Sequence, residues 1–385
     1  MPHVAIIGTR GYPSYYGGFE TAVRKLAPYL ADQGWTVTVY SREGAVRADD
    51  PDLDRRVNVV YTRGLEKKSL STLSYGYTAA RDAVKRGVDV ALVMNVANGF
   101  FLPMLKRAGI PTLVNVDGIE WVRAKWGFLA RTMFKWGATL TARYGDQLVY
   151  DAREIARFWK ERFKREGVFI PYGGDPVPTL PVEPGYVSGE YALIVARFVP
   201  ENTVPEFIEA ARDIARTHKV IFVGSTGYGG ELDHQVRELA NANSNVAWLG
   251  HVADDRRLFA LWQHAGAYFH GHSVGGTNPA LVQAMAAGAP VVARDTLYNR
   301  EVLGTGGAFT GPTPTAIAES MAAMLNSSER QLRAREVSLA RAQEDYRWSA
   351  VCNRYDASLR ALLSASASLA PLERPDEPSS IGRIR

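Results

Sequence analysis

The sequence has a single cysteine and no long uninterrupted apolar run. Because Cys352 stands alone among 385 residues, a disulfide within the chain is excluded and a reducing compartment is favoured. The longest apolar stretch, residues 88–105, is interrupted by Asp89, Asn95 and Asn98, so we expect no transmembrane helix. The start, MPHVAIIGTRG, lacks the basic residues and extended apolar core of a signal peptide. These absences together predict a cytoplasmic protein.

Short motifs for several enzyme classes and for metal binding are also absent. There is no GxSxG, HExxH or CxxC, which argues against a serine-hydrolase elbow, a zinc-protease site and a paired-cysteine site. Asp49, Asp50 and Asp52 form an acidic run without the Gly and Glu pattern of a calcium loop. His270 and His272 would face the same way on an extended segment, but no third ligand is close in sequence. We therefore expect no bound metal.

What the sequence does contain is two series of short apolar strands that alternate with helical segments. Fully apolar runs such as VAIIG, ALIVA and VIFVG are typical of parallel strands that helices cover on both faces. The alternation predicts an α/β fold, with seven strands in the first half of the chain and five in the second. The 46% apolar and 22% charged content is that of a soluble globular protein, and the length suits two domains.

A proline-rich segment indicates where the domains divide. Five prolines fall within residues 171–190, which is the composition of a linker. We predict one Rossmann-like domain over residues 1–170 and a second over 191–345, with a cleft at the carboxyl ends of both sheets. Residues 346–363 are expected to form a helix that packs back on the first domain. Residues 364–385 have the composition of a disordered tail.

Two glycine-rich loops are expected to meet in this cleft. After the first strand, GTRGYPSYYGGFET places Gly17 and Gly18 before a helix, without the GxGxxG dinucleotide spacing or a Walker loop. In the second domain, HGHSVGGTNPALVQ places Gly275 and Gly276 before Asn278, which suits the N-cap of a short helix. Free N–H groups and the helix dipole there would bind a phosphate. The same sequence also suits an ordinary strand–turn–helix corner.

Charged residues are predicted at the same sheet edges. Arg197 ends the apolar strand YALIVAR and can bind a phosphate through two nitrogens; the alternative is a surface arginine. Asp117 and Glu120, in NVDGIEW, follow a strand of the first domain. A carboxylate there suits hydroxyl recognition or acid–base catalysis, and it also suits a helix N-cap.

Residues 121–144 combine tryptophan, phenylalanine and basic side chains. The wider segment 117–168 holds eleven Lys or Arg against seven Asp or Glu. This composition is typical of a surface that contacts a membrane, and equally of amphipathic helices whose apolar side faces the core. No nucleic-acid-binding motif accompanies the charge, so nucleic acid is not an expected partner.

Several of these motifs together resemble those of a known enzyme family. GTRGYPSYYGGFET, NVDGIEWVRAKWG, PYGGD, ARFVPENT, HGHSVGGTNPALVQAMAAGAPVVA and YNREVLG occur in this order over residues 8–304. The chain is similar to retaining glycosyltransferases of family four, and more narrowly to their bacterial branch that includes capsule and exopolysaccharide rhamnosyltransferases. The resemblance implies the GT-B fold, in which two Rossmann-like domains face each other across a central cleft.

The resemblance also implies roles for individual residues. The second domain would bind a nucleotide sugar and the first domain the acceptor. Arg197 would stabilise the departing diphosphate, and Asp117 would lie beside the donor sugar and the acceptor hydroxyl; both would be catalytic. Donor binding is implied for Gly17, Gly18, Asn202, Gly275, Gly276, Thr277, Asn278 and Gln283. Acceptor binding is implied for Glu120, Trp121 and Arg123.

Three positions depart from the pattern of the broad family. That family pairs its arginine with a lysine five residues on, where this chain has Asn202. It also has two glutamates eight residues apart, where this chain has Gly275 and Gln283. A glutamine can still hydrogen-bond a ribose through its amide. The lost charges favour weakened or altered use of the donor.

The sequence therefore predicts a glycosyltransferase that needs neither a metal nor a cofactor. It would transfer a sugar, with rhamnose from dTDP-rhamnose favoured by the resemblance, to a lipid-linked or glycan acceptor in cell-surface polysaccharide synthesis. The alternatives are a non-catalytic nucleotide-sugar-binding protein, a transferase acting on a small-molecule or natural-product acceptor, and a nucleotide-sugar epimerase of the same shape. The expected place is the cytoplasm, with peripheral contact at the inner face of the membrane.

Overall fold

The computed structural model describes residues 1–15, 17–44, 50–65, 68–122 and 127–369. The sequence predictions for Asp49, Arg123 and residues 370–385 lie outside this described part.

The first domain is built on a parallel sheet of seven strands, as the sequence predicts. Their order across the sheet is β3-β2-β1-β4-β5-β6-β7, and each neighbouring pair is parallel. The strands are β1 (His3–Ile7), β2 (Thr36–Arg42), β3 (Val57–Thr62), β4 (Val90–Met94), β5 (Thr112–Asn115), β6 (Gln147–Tyr150) and β7 (Val168–Phe169).

The second domain is built on a parallel sheet of six strands, one more than predicted. The order is β10-β9-β8-β11-β12-β13, again with parallel neighbours. The strands are β8 (Tyr191–Val195), β9 (Lys219–Val223), β10 (Val246–Trp248), β11 (Ala267–His270), β12 (Val291–Arg294) and β13 (Ala308–Thr310). The sequence does not reveal β13, because its residues lie between turn-forming residues in GGAFTGP and do not form an apolar run.

Helices connect the strands and cover both faces of each sheet. In the first domain they are α1 (Gly18–Asp32), α2 (Lys68–Arg86), α3 (Leu102–Arg107), α4 (Phe128–Tyr144) and α5 (Arg153–Phe163). In the second they are α6 (Val204–Ile214), α7 (Glu231–Ala242), α8 (Asp255–His264), α9 (Pro279–Ala286), α10 (Leu297–Leu303), α11 (Pro314–Leu325) and α12 (Ser328–Asp345), and α13 (Trp348–Leu369) ends the described chain. Three short 3-10 helices lie at Val96–Phe101, Glu120–Val122 and Pro200–Asn202.

The core has two layers per sheet because strand side chains alternate between faces. In β1, Val4 and Ile6 pack with α1 and α13, whereas Ala5 and Ile7 pack with α2 and α4. In the second sheet, Leu193 belongs to the layer under α8 and α9, and the opposite layer lies under α6 and α11. Full burial of each such aliphatic side chain contributes roughly 1.5–3 kcal/mol.

The chain crosses between the domains twice, at neighbouring places. The first crossing is the proline-rich linker, and the second is the start of α13. They are hydrogen-bonded where the Gly174 N–H donates to the Tyr346 carbonyl at 2.7 Å. Helix α13 then packs on the first domain through Val351, Tyr355 and Leu359, which places it where the sequence expects.

Helix α13 runs to Leu369, six residues into the segment predicted to be a disordered tail. The run SASASL, residues 364–369, is rich in serine, which suggested a disordered tail, but its alanine and leucine residues favour a helix. A helix already formed by packing extends through such residues at little cost. Of the helices in the described part of the chain, none combines the length and apolar content required to cross a bilayer.

Candidate functional site

A cavity of about 350 Å³ lies between the two domains, at the carboxyl ends of both sheets. This size is within the range of small-molecule sites, and the position is the one at which α/β sheets bind ligands. Nine of the residues predicted for the site line it: Gly17, Gly18, Asp117, Glu120, Arg197, Gly275, Gly276, Thr277 and Asn278. Residues far apart in sequence thus meet in one cleft.

The second-domain side of the cavity is the loop that leads into α9. Asn278 caps this helix, since its Oδ1 accepts from the Ala280 N–H at 2.9 Å, and Pro279 takes the first helical position. Gly275 has φ +97°, a left-handed conformation that favours glycine. The amino end of α9 therefore faces the cavity with its positive dipole end, which suits an anion.

The first-domain side begins with the Gly17–Gly18 corner at the start of α1. A Cβ added at Gly18 would lie 3.1 Å from the Tyr172 hydroxyl and 3.3 Å from Pro279 Cγ, so this corner packs closely against the second domain. Glu20 on the first turn accepts from the Arg10 N–H at 3.0 Å. The two glycine loops are thus neighbours across the cleft, as the sequence predicts.

Arg197 enters the cavity just beyond β8. Its carbonyl accepts from the Asn202 side-chain amide at 2.9 Å, while the Asn202 Oδ1 lies 2.6 Å from His272 Nδ1. Asn202 is itself buried and does not line the cavity. Asn202 therefore joins the Arg197 main chain to His272, and the donor contact expected from the sequence stays a prediction.

Asp117 lies at the opposite wall with φ +60°, a conformation rare for a non-glycine residue and concentrated at functional sites. Its N–H donates to Asn115 Oδ1 at 3.0 Å, and Asn95 donates to its carboxylate at 3.2 Å. Asn115 in turn donates to the Tyr355 hydroxyl at 2.7 Å. Helix α13 therefore helps to hold the Asp117 backbone in place.

Two further predicted residues lie outside the cavity lining. The Gln283 amide accepts from the Asp175 N–H and donates to the Asp175 carbonyl, both at 3.1 Å. These two hydrogen bonds join the linker to α9. They use the same amide group that the family resemblance implied would bind the ribose. Trp121 packs on Phe158, with ring centroids 5.9 Å apart, so its ring belongs to the first-domain core.

Sequence reasoning missed several residues that line the cavity. They are Gly8, Arg10, Phe19, Glu20, Arg42, Thr72, Asn95, Phe134, Asp151, Tyr172, His272 and Pro279. Asp151 had a usable signal, because it directly follows the strand QLVY, much as Asp117 comes shortly after TLVN. Tyr172 lies in the linker within PYGGD, a segment that carries the resemblance but gave this tyrosine no role. Burial, followed by the charges of Asp117 and Asp151, raises the Tyr172 pKa well above its usual value, so this hydroxyl stays protonated.

Within the described ranges, three or more His, Cys, Asp or Glu side chains do not come together in a group that could hold a metal ion. His270 and His272 lie on the same strand end, with ring centroids 6.2 Å apart. His270 is buried beside Tyr268, 3.1 Å from that hydroxyl, whereas His272 lines the cavity.

Comparison with known proteins supplies independent information on family and fold. Residues 184–340 match the family model described as Glycosyl transferases group 1, and residues 90–175 match one described as a domain of unknown function, DUF1972. No curated protein sequence matches the chain significantly.

Solved structures resemble the whole chain. Sucrose-phosphate synthase from Thermosynechococcus elongatus has a TM-score of 0.77 at 18% identity, covering 95% of this chain and 100% of that one. Anabaena HepE, solved in complex with UDP-glucose, has a TM-score of 0.69 at 16% identity, covering 94% and 100%. WaaG, a glycosyltransferase involved in lipopolysaccharide biosynthesis, has a TM-score of 0.70 at 14% identity, covering 92% and 99%. The family match lies in the second domain, and these solved structures share with the chain the GT-B fold of two facing Rossmann-like domains.

Proposed function

We propose that the protein is a retaining glycosyltransferase that moves a sugar from a nucleotide diphosphate donor to a lipid-linked or glycan acceptor in cell-surface polysaccharide synthesis. One observation carries the proposal. The glycine loop before α9, Arg197 and Asp117 line a single cavity between the domains, with anion-binding groups on one wall and carboxylates on the other. The matched family model covers the domain that contributes the anion-binding wall.

The second-domain wall is suited to the departing diphosphate. In the transfer, the acceptor oxygen bonds to the anomeric carbon while the bond from that carbon to the diphosphate oxygen breaks. The electron pair leaves with the diphosphate, which also takes the hydroxyl proton. Arg197 and the N–H groups of residues 276–278 would stabilise the growing negative charge. Because the protein supplies these donors, the proposal requires no metal ion.

The first-domain wall is suited to the acceptor and the sugar ring. Asp117 and Glu120 line this side and can accept hydrogen bonds from hydroxyl groups. The donor sugar follows from resemblance alone, which favours dTDP-rhamnose. The Anabaena neighbour was solved with UDP-glucose, so that donor belongs in the same panel.

An exposed face of α4 supports an acceptor presented at a membrane. Phe128, Leu129 and Trp136 are 86%, 84% and 66% exposed, and the exposed Lys135 and Arg143 lie on the same side of the helix. Aromatic and basic residues on one face are typical of helices that bind anionic lipid surfaces. The alternative from the sequence, in which the apolar side of this helix faces the core, fits Phe134 and Ala138 but does not account for these three exposed side chains.

The same helix links this surface to the cavity. Phe134, on the inner side of α4, lines the cleft, so a lipid-linked acceptor bound at the surface would have its sugar end close to Asp117. We accordingly place the protein in the cytoplasm, at the inner face of the membrane.

A donor panel tests the proposal. Purified protein is incubated with dTDP-rhamnose, UDP-glucose and other nucleotide sugars plus membrane lipid extract, and release of nucleoside diphosphate is measured. We expect release with one donor, dependent on the extract, and a product that keeps the anomeric configuration of the donor. Arg197→Ala should slow turnover by about 10²-fold or more, whereas Arg216→Ala, at an exposed site of the same domain, should not. Normal turnover by Arg197→Ala would remove this residue from the mechanism.

One observation favours a second candidate, a non-catalytic protein that binds nucleotide sugars. The amides of Asn202 and Gln283, at two positions where the broad family has charged residues, are both bonded to backbone atoms of this chain. Tight donor binding in a calorimeter without turnover on any acceptor would support this candidate. A transferase with a small-molecule acceptor would instead turn over without lipid extract, and an epimerase would convert the donor with no acceptor.

A further inference from the structure

A buried carboxylate of the first domain lies against the glycine loop of the second. Asp151 follows β6 and precedes α5, and it is only 2% exposed. Its carboxylate is so close to Gly276 that a Cβ at that position would overlap both carboxylate oxygens. Asp151 also lines the cavity with Arg197 and Asp117. The absence of a side chain at Gly276 is thus what admits a carboxylate from the other domain.

Other atoms also join the two domains at this corner. The Thr277 hydroxyl donates to the Asp151 main-chain carbonyl. Glu301 of α10 accepts from the Arg153 N–H at 2.8 and 3.0 Å, capping α5, which has no side-chain cap of its own domain. Main-chain groups and Glu301 therefore hold the corner together, and the Asp151 carboxylate lies beside them in the cavity lining.

The negative charge of the Asp151 carboxylate indicates which part of a nucleotide-sugar donor it would contact. A carboxylate repels a phosphate, so it does not add to the phosphate-binding wall formed by Arg197 and the start of α9. The uncharged sugar, attached to that phosphate, is the adjacent part of the donor. Its hydroxyl groups donate hydrogen bonds, and its ring gains positive charge as the bond to the diphosphate breaks. A carboxylate beside the ring is therefore favourable, and more so in the transition state than in the ground state.

We propose that Asp151 contacts the donor sugar and stabilises the positive charge on its ring during transfer. The inference rests on the proposed glycosyl transfer and names a further residue for it. Asp151 supplies from the first domain a carboxylate beside the loop where this chain has Gly275 in place of the family glutamate. It forms no covalent bond and takes no proton. The site is complete only when the two domains are in contact.

The test compares Asp151→Asn with the wild type in two measurements. Turnover is measured with the donor that the wild type uses, and binding is measured with the corresponding nucleoside diphosphate, which lacks the sugar. We expect kcat to fall by about 10- to 100-fold. Affinity for the nucleoside diphosphate, measured by calorimetry, should be unchanged or higher because a negative charge near the phosphate has been removed. Glu154→Gln is the control, since Glu154 pairs with Arg157 at the same corner and does not line the cavity. Glu154→Gln should keep the wild-type kcat and the wild-type affinity for the nucleoside diphosphate.

Three outcomes would overturn the inference. One is wild-type kcat in Asp151→Asn. Another is a loss of nucleoside diphosphate affinity in proportion to activity, which would make Asp151 part of the phosphate site. The third is a loss of activity that follows a lower melting temperature in both Asp151→Asn and Asp151→Ser, which would make it structural. If the wild-type protein binds no nucleotide, the proposed function is overturned as well. If the wild-type protein is active and Asp151→Asn has the same kcat, only this inference is overturned.

Discussion

The side chain of His270 is enclosed at the end of β11. Its Nδ1 lies 3.1 Å from the Tyr268 hydroxyl, and its Nε2 has no hydrogen-bond partner in the described part of the chain. Burial, with a smaller effect of His272, lowers the His270 pKa to about 3. The imidazole is therefore neutral in the folded protein at any pH at which the enzyme would work.

This pKa predicts acid sensitivity of the fold. Below pH 6.5 the unfolded chain binds a proton at this histidine and the folded chain does not, so stability falls as the pH drops from 6.5 towards 3. Through His270 the free energy of unfolding falls by about 1.4 kcal/mol for each pH unit below 6.5, which amounts to roughly 2 kcal/mol at pH 5. Urea unfolding at pH 7, 6 and 5 measures it, and His270→Phe should flatten the decline. Equal slopes for the two proteins would contradict the prediction.

At the residue scale, the sequence predicted which residues line the cavity better than it predicted the hydrogen bonds that individual side chains make. Arg197 and Asp117 line the cavity because the end of a parallel strand fixes where the next residue lies. The family resemblance implied donor contacts for Asn202 and Gln283, but the partners of their amides could not be predicted. His272 is 70 residues from Asn202, and Asp175 is 108 residues from Gln283. Such pairings depend on how the linker and loops pack.

Among the elements, α13 has the most distant partners. It begins beside the linker and packs across the first domain, where Asp356 Oδ1 accepts from Trp35 Nε1 at 2.5 Å. Arg360 donates to the same carboxylate at 3.0 Å and to the Gln33 carbonyl at 2.8 Å. The helix also reaches Asn115, next to Asp117. It is therefore part of the first-domain core although it is the last element in the described part of the chain.

Removing this carboxylate should destabilise the first domain. In Asp356→Ala the buried Trp35 N–H loses its acceptor, which costs about 1–3 kcal/mol. Denaturant unfolding followed by tryptophan fluorescence measures the change. Asp213→Ala, which removes an exposed carboxylate paired with Arg216, is the control and should change stability by less than about 0.5 kcal/mol. A change in Asp356→Ala as small as in the control would show that the Trp35 pairing contributes little.

At the element scale, twelve of the thirteen strands in the described part of the chain could be predicted, because buried parallel strands give apolar runs. The exception, β13, lies between glycines and has no such run. The extent of α13 beyond residue 363 was missed because composition alone does not show that a preceding turn is already anchored by packing.

For the whole molecule, the exposed face of α4 predicts attachment to membranes. The protein should sediment with vesicles that contain anionic lipid and less with zwitterionic vesicles, and high salt should weaken binding. Replacing both Phe128 and Trp136 by serine should reduce binding by at least about tenfold, given the apolar area lost. Tyr228→Ser, at an 84% exposed aromatic residue of the second domain, is the control. Equal binding by the double variant and the control would exclude α4 as the attachment surface.

The two crossings between the domains lie side by side, with Gly174 paired to Arg347 as in a parallel sheet. Two connections paired in this way restrict twisting of one domain about the other more than a single connection would. We therefore expect relative motion of the domains to be mainly a bending at these two connections. Such a motion would keep the glycine loop before α9 and the first-domain carboxylates in one alignment across the cavity that they line.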